Sequence, residues 1–579
     1  MHLPELKPKK GIVETQDVFL GLNHNLRIRP GEFYNMENLS SDDFPVLSPR
    51  GKRSVYLEKG NLQGLISMDG LCYVDGDSLY VNGKKQDLIL STAPEDCPKQ
   101  LISMGAYLLI LPDGLYLNLR DPQDRGSMEN IITTAGPVLM TQCSLDGREI
   151  LPAYEGSLTP EAPQDGSYWL NYEAGELKQY SASTAMWVLV ASPFVKLSAP
   201  GIGRGFAPYD GIELSGPEGL GNLAGPCVLY DVKEDYVILP GLIPEKTTLT
   251  APVTLSRRLP IMDFCMESGN RLWGCRYGPN RQGQVVNEIY CSKLGDFKNF
   301  SCFMGISTDS YAVSLGSEGP FTGAVSYGGH PLFFKENGVH KVFGSMPSDF
   351  SVQYSPCRGV EQGSEGSLAI VSEILYYKSP TGVCAYDGSY PREISEALGK
   401  EAYHHAAAGT VNGKYYISME KGEESHLFVF DTAKGLWHRE DDLKARSFCT
   451  CRGELFCIDD KGRLLGLLGK GGTPEKGPIR WMAESGLIGV TLPGNKYLSR
   501  LSLRLLLEPG SRVTVSVRYD SRGAYQILGT VMGMELRSFT LPIVPRRCDH
   551  LQLKLQGEGK AMIFSSARVL KGGSDEMGR

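Results

Sequence analysis

Apolar residues along this chain come in short runs broken by tight, glycine-containing turns, and most runs carry a Tyr, Phe or Trp. The unit reads LCYVDGDSLYVNG from Leu71, LLILPDGLYLN from Leu108, PLFFKENGVHKVFG from Pro331, ILYYKSPTGVCAYDG from Ile374, HLFVFDTAKGLWHR from His426 and ELFCIDDKGRLLG from Glu454. In each, β-formers flank a turn where Asp, Asn or Gly takes backbone angles that other residues resist, so each predicts a β-hairpin. A lone exposed hairpin is marginal in water, and such units need to stack. Recurrence at roughly 30 to 50 residues is the spacing of propeller blades or other β-repeats.

The pattern is not continuous. Residues 1–60 have few periodic apolar runs and predict an irregular N-terminal arm; residues 61–135 predict the first blades. An interruption follows, simplest as a domain inserted in one loop. It has β character of its own, in YWLNYEAGELKQYSASTAMWVLV from Tyr168, FAPYDGIELSG from Phe206 and CVLYDVKEDYVILPG from Cys227, and residues 136–255 predict an inserted barrel-like or sandwich-like β module. Residues 256–470 resume the blades, with one helix candidate, ISEALGKEAYHHAAAG, from Ile394. After the Gly/Pro/Lys-rich linker GKGGTPEKGP, residues 471–579 change texture. Leu501, Leu503, Leu505 and Leu507 alternate with polar residues, as do Val513, Val515 and Val517, and then Leu551, Leu553 and Leu555. Period two with one polar face predicts a C-terminal β-sandwich. The expected fold is all-β: a propeller of about six to eight blades with an inserted β module and a C-terminal sandwich.

Composition adds limits. The 579 residues include 68 Gly and 35 Pro, with 41% hydrophobic and 22% charged, values of a folded chain rich in turns. A formal charge of −7 gives no general basic footprint for nucleic acid. No apolar run reaches the length of a membrane helix, and the start, MHLPELKPKKG, lacks the apolar core of a secretory signal, so synthesis in a cytoplasm is expected. The 14 cysteines are scattered, many within strand-like runs, such as Cys72, Cys275, Cys291 and Cys384, where a thiol behaves as a small buried hydrophobe. Cys449, Cys451 and Cys457 cluster, but they lack the paired spacing of a zinc site.

The search for chemistry assigns no catalytic, cofactor-binding or metal-binding residue, and no cofactor is expected. No phosphate-binding loop, HExxH or GxSxG motif occurs, and Gly201, Gly203 and Gly205 lack dinucleotide-loop spacing. The adjacent His404 and His405 point to no metal. Because propellers include glycosidases, the neighbouring carboxylates bear on catalysis: Glu440, Asp441 and Asp442; Glu423 and Glu424; Asp459 and Asp460; Asp42 and Asp43. All lie in turn-like sequence and are expected to be solvated. FDTAKGLW, residues 430–437, differs in spacing from the SxDxGxTW box of sialidase-like propellers and reads as an outer hairpin with Trp437 packed between blades.

Three regions carry a resemblance. ESGNRLWG followed by NEIYCSKLGDFKNF resembles a blade of tail-associated propeller proteins of bacteriophages and prophages, including nozzle or tail-tubular proteins of short-tailed phages, through Asn270, Arg271, Leu272, Trp273, Ile289, Tyr290, Ser292, Gly295, Asp296, Asn299 and Phe300. Residues 332–353 and 359–395 are similar to the same family, as is the N-terminal GLNHNLRIRPGEFYNMENLSSDDFPVLSPRG through Asn38, Pro49, Arg50 and Gly51. The resemblance implies a virion structural protein without enzymatic activity, a homo-oligomeric ring contacting other tail proteins around a DNA exit channel, with DNA passing without sequence-specific binding. The alternative expectation is a propeller that binds or depolymerises host-surface carbohydrate, for which Trp169 and Trp187 are the residues to test; a host sialidase-type enzyme lacks the aspartate boxes.

Overall fold

The computed structural model describes residues 11–58, 60–91, 99–492, 494–533 and 535–572. It is an all-β chain: a β-propeller with an inserted β module and a C-terminal β-sandwich, in which the only helical turns among the described residues are short 3-10 segments. Contacts divide it into two compact units, one of residues 1–98, 334–338 and 356–579, the other of residues 99–333 and 339–355.

In the first unit, four blade sheets are antiparallel meanders. The first blade comprises Leu62–Ser67, Leu71–Asp75, Ser78–Val81 and Lys84–Ile89. The fifth comprises Ala369–Val371, Ile374–Ser379, Gly382–Tyr386 and Arg392–Glu393, and the sixth His404–Val411, Lys414–Lys421, Glu424–Asp431 and Leu436–Arg439. The seventh is built from both ends of the repeat: Ala445–Cys451, Glu454–Asp459 and Leu464–Gly466 are completed by Ser54–Leu57, whose Val55 pairs with Leu465. The hairpin turns obey the sequence chemistry. Asn82–Gly83 and Asn412–Gly413 both take left-handed angles, φ 51° and 75°, then 52° and 72°, as a two-residue turn matched to strand twist requires.

The expected helix from Ile394 is absent. Only Glu396–Leu398 makes a helical turn, and His404–Val411 is a strand paired with Lys414–Lys421. Helix propensity is a weak local term, and here packing overrides it. The small residues Ala406, Ala407, Ala408 and Gly409 let this strand lie close to its neighbour: a methyl group added at Gly409 would sit 2.5 Å from Phe448 Cβ in the seventh blade.

The sandwich also lies in the first unit. One sheet orders Ile12–Gln16, Ala561–Gly572, Lys496–Leu507 and Arg537–Leu541; the other orders Phe33–Glu37, Arg480–Ser485, Leu551–Glu558, Arg512–Tyr519 and Gln526–Val531. The alternating leucines and valines turn inward, with Leu501, Leu503, Leu505, Val513, Val515 and Val517 all buried. The described residues of the N-terminal segment, 11–58 and 60, are therefore no irregular arm. They give a strand to each sandwich sheet and a third to the seventh blade. Each is a solitary strand whose partner lies hundreds of residues away, so it leaves no hairpin signature.

The second unit holds three blade sheets. The second blade comprises Gln100–Met104, Tyr107–Leu111, Leu115–Asn118 and Arg125–Ser127; the third Phe264–Ser268, Arg271–Pro279, Val285–Cys291 and Tyr311–Ser314; the fourth spans residues 323–356. Between the second and third, the inserted module packs two sheets, one containing Asn130–Thr133, Thr254–Arg257, Gly211–Ser215 and Gly225–Val228, the other centred on Val138–Cys143, Phe194–Ser198 and Tyr236–Pro240. Their core includes Val138, Val195, Leu197, Ile212, Val237 and Leu255, all buried. A third, small sheet rises from this module, from Tyr154–Glu155, Tyr168–Asn171, Glu176–Ser181 and Met186–Leu189.

Candidate functional site

Among the residues that carry the phage-tail resemblance, Arg271, Ser292 and Asn299 are buried polar groups around one loop. Asn270 and Gly295 both take left-handed angles, φ 57° and 73°, and the Gly295 N–H donates to the Asn270 carbonyl at 2.8 Å. Arg271 is 2% exposed, and its guanidinium donates to the carbonyls of Ser292 at 2.9 Å, Ser307 at 2.8 Å and Asp309 at 2.5 Å. Its face lies 5.6 Å from the Phe350 ring centre. Ser292 Oγ accepts the Leu272 N–H. Asn299 bridges to the inserted module, with its amide donating to Asp210 Oδ1 and its oxygen accepting the Gly211 N–H, both at 2.9 Å. Asp210 in turn pairs with the buried Arg257. These are groups that order a long loop without regular structure, and they explain the spacing of the motif by backbone satisfaction.

The small sheet of the inserted module is different, because its two faces have opposite character. Leu170 and Leu177 pack on Ile150 and anchor one face. Strand alternation sends Trp169, Lys178, Tyr180 and Trp187 to the other. The Trp187 ring centre lies 5.5 Å from Trp169, 5.3 Å from Tyr180 and 5.8 Å from Tyr154. Trp169 is the floor of this cluster: it is 5% exposed, its indole N–H donates to the Gly156 carbonyl at 2.8 Å, and Lys178 Nζ stands 4.9 Å over its ring. Trp187, Tyr154 and Tyr180 are partly exposed. Among the described residues, neither the Trp187 indole N–H nor the two tyrosine hydroxyls has a protein hydrogen-bond partner. The arrangement offers an aromatic face with three unused polar tips, which suits a ligand with an apolar ring face and hydroxyl groups at its edge. Both tryptophans singled out in the sequence belong to it. Tyr180 was legible in the hairpin register opposite Trp187; Tyr154, brought in by a parallel bridge to Trp169, was not.

The candidate carboxylates do not all lie in solvated turns. Glu440 and Asp441 are held by Arg53, through 2.7 Å contacts to Glu440 Oε2 and Asp441 Oδ2, while Arg50 reaches Glu475 at 3.1 Å. Burial alone would raise the Asp441 pKa, but the Arg53 guanidinium outweighs it and holds the carboxyl below its ordinary value. Asp459 is fully buried and paired with Arg463 at 2.7 Å. Asp42 binds Lys414 at 2.6 Å, whereas Asp442, Glu423, Glu424 and Asp460 are exposed. For Glu440 and Asp441 the cause is distant in sequence: the N-terminal segment returns to this turn with Arg50 and Arg53, from almost 400 residues away. His404 Nδ1 lies 2.7 Å from Glu361, and Trp437 is buried with its N–H donated to the Ile394 carbonyl of the segment following the fifth blade. Burial pushes the Cys449 and Cys457 thiols up to about 12, and no metal-ligating cluster of three residues occurs among the described residues. No described helix is long and apolar enough to cross a membrane.

No protein-family model matches the chain, and no curated protein matches it. Solved structures similar to it include an exo-β-1,3-galactanase from Phanerochaete chrysosporium, 8% identical over 52% of this chain and 94% of that one, with a TM-score of 0.21. The phage phi92 endosialidase is 10% identical over 73% of this chain and 63% of its own, TM-score 0.22, and a further glycoside hydrolase is 10% identical over 52% and 96%, TM-score 0.21. Likeness at this level assigns no activity to this chain. The expectation of a protein without enzymatic activity nevertheless does not stand, because the structures it matches are glycoside hydrolases and the fold gives no ground for excluding catalysis.

Proposed function

We propose that this protein is a carbohydrate-recognising propeller that engages a host-surface polysaccharide, with the aromatic face of the inserted module making the sugar contact. The observation that carries the reading is Trp187, partly exposed between Tyr154 and Tyr180 and backed by the buried Trp169, with its N–H and both tyrosine hydroxyls without a hydrogen-bond partner among the described residues. A pyranose presents an apolar face to such rings and hydroxyls to such tips. Placement on a phage or prophage particle is supported by the resemblance of residues 267–300, 332–353 and 359–395 to tail propellers. Assembly as a ring around a DNA channel has no feature of the fold to support it, and host-surface recognition takes its place.

A glycan array tests the reading. The full chain is expected to bind a restricted set of glycans, and Trp187→Ala to lower that binding by about tenfold or more, a loss of about 1.4 kcal/mol, with an unchanged melting temperature. A wild-type protein that binds no glycan overturns it. Incubating bound polysaccharides with the protein and following their chain length shows whether recognition is coupled to cleavage.

A further inference from the structure

In the first unit, a cleft of about 700 Å³ opens where the first blade meets the seventh. Its apolar floor includes Leu71 and Phe456, and Tyr56 and Tyr73 present rings to it, Tyr56 being 39% exposed. Tyr56 is set edge-on against Phe456 at 4.8 Å, and Tyr73 is stacked on Tyr80 at 5.0 Å. Two cations, Arg452 and Lys470, stand at its rim, both exposed. Neither has a carboxylate partner among the described residues. Arg452 donates to the Asp69 carbonyl at 3.1 Å and Lys470 to the Gly453 carbonyl at 2.8 Å.

Two features show that these cations are placed. The first is the backbone at Arg452, which has φ 51° ahead of Gly453 at 76°. This is the turn that the first and sixth blades make with Asn82–Gly83 and Asn412–Gly413, and arginine is disfavoured there by roughly 1 kcal/mol. The second is Glu454, which is 3% exposed, lacks a cationic partner among the described residues, and accepts the backbone N–H groups of Leu455 at 3.0 Å, Leu468 at 2.7 Å and Lys470 at 2.6 Å. It fixes the segment that brings Lys470 to the rim.

We infer that this cleft is a second saccharide subsite, selective for a pyranose carrying a carboxylate. The tyrosines take the apolar ring face, and Arg452 and Lys470 take the acid, an Arg–carboxylate contact being among the strong hydrogen bonds. This inference deepens the proposed carbohydrate recognition and rests on it.

The test uses the full chain titrated with a galacturonic acid trimer and a sialic acid trimer, with maltotriose as the neutral control. At least one acidic trimer is expected to bind more tightly than maltotriose, and its affinity to fall with added salt. Arg452→Asn installs the residue of the sister turns, so the fold is expected to keep or raise its melting temperature while acid binding weakens about tenfold. Lys470→Gln should weaken it in the same direction, and Arg452→Lys should retain part of it. Equal binding of maltotriose, no binding of either acid, or an Arg452→Asn variant with unchanged affinity would each overturn the inference. If the glycan array still shows Trp187-dependent binding, only the cleft fails; if the array is also blank, the proposed function fails with it.

Discussion

Arg271 shows how a single residue can look functional in sequence and be structural in the fold. It is fully enclosed, and its guanidinium satisfies three carbonyls of the loop that precedes Tyr311–Ser314. Arg271→Ala is expected to destabilise the second unit by about 3 kcal/mol, since it strands buried carbonyls, and Arg271→Lys to recover little of it because an ammonium cannot reproduce the planar fork; chemical denaturation of the two variants measures both. His438 gives a pH dependence. It is enclosed near Lys414, Lys434, Asp431 and Asp42, and burial, with Lys414, lowers its pKa to about 4. The unfolded chain takes up this proton as pH falls through about 6.5, the folded chain only near 4, so stability is complete above 6.5 and declines between these values. The slope is at most about 1.4 kcal/mol per pH unit from this site, and denaturation midpoints for wild type and His438→Gln between those two pH values should diverge accordingly.

At the scale of elements, the inserted module's small sheet separates anchoring from contact. Trp169 is buried with a satisfied N–H, whereas Trp187 is partly exposed with none. The two substitutions that look equivalent in sequence therefore predict different phenotypes. Trp169→Ala should destabilise this sheet by about 3–5 kcal/mol, the cost of a large buried aromatic, and appear as increased proteolysis within residues 154–189; Trp187→Ala should leave proteolysis unchanged and weaken glycan binding about tenfold or more. The sixth blade makes a related point about what local sequence can dictate. Ala406, Ala407 and Ala408 favour helix in isolation, yet they lie in a strand because Lys414–Lys421 pairs continuously with Ala407 through Val411.

At the scale of the molecule, the N-terminal segment ties the first unit together. Ile12–Gln16 and Phe33–Glu37 are edge strands of the two sandwich sheets, and Ser54–Leu57 pairs with Leu464–Gly466 in the seventh blade. Arg50 and Arg53, themselves buried, add ion pairs to Glu440, Asp441 and Glu475. A chain lacking residues 1–57 is expected to be insoluble or to lose cooperative unfolding, as read by expression and thermal denaturation, because it exposes three unpaired sheet edges and leaves the buried Glu440 and the partly buried Asp441 without their cations. By itself the sequence determined the hairpins, their turn residues, the insertion within the repeat and the alternating sandwich strands, because each is written in contacts only a few residues apart, where strand period and turn chemistry decide the outcome. It also named Trp169 and Trp187. Only the tertiary structure decided that Ile12–Gln16, Phe33–Glu37 and Ser54–Leu57 belong to three different sheets, that Glu440 and Asp441 are held by Arg53, and that Arg452 and Lys470 share a cleft with Tyr56. Those pairings join residues up to hundreds of positions apart, and no periodicity along a chain records which distant segment will supply the missing strand or the opposite charge.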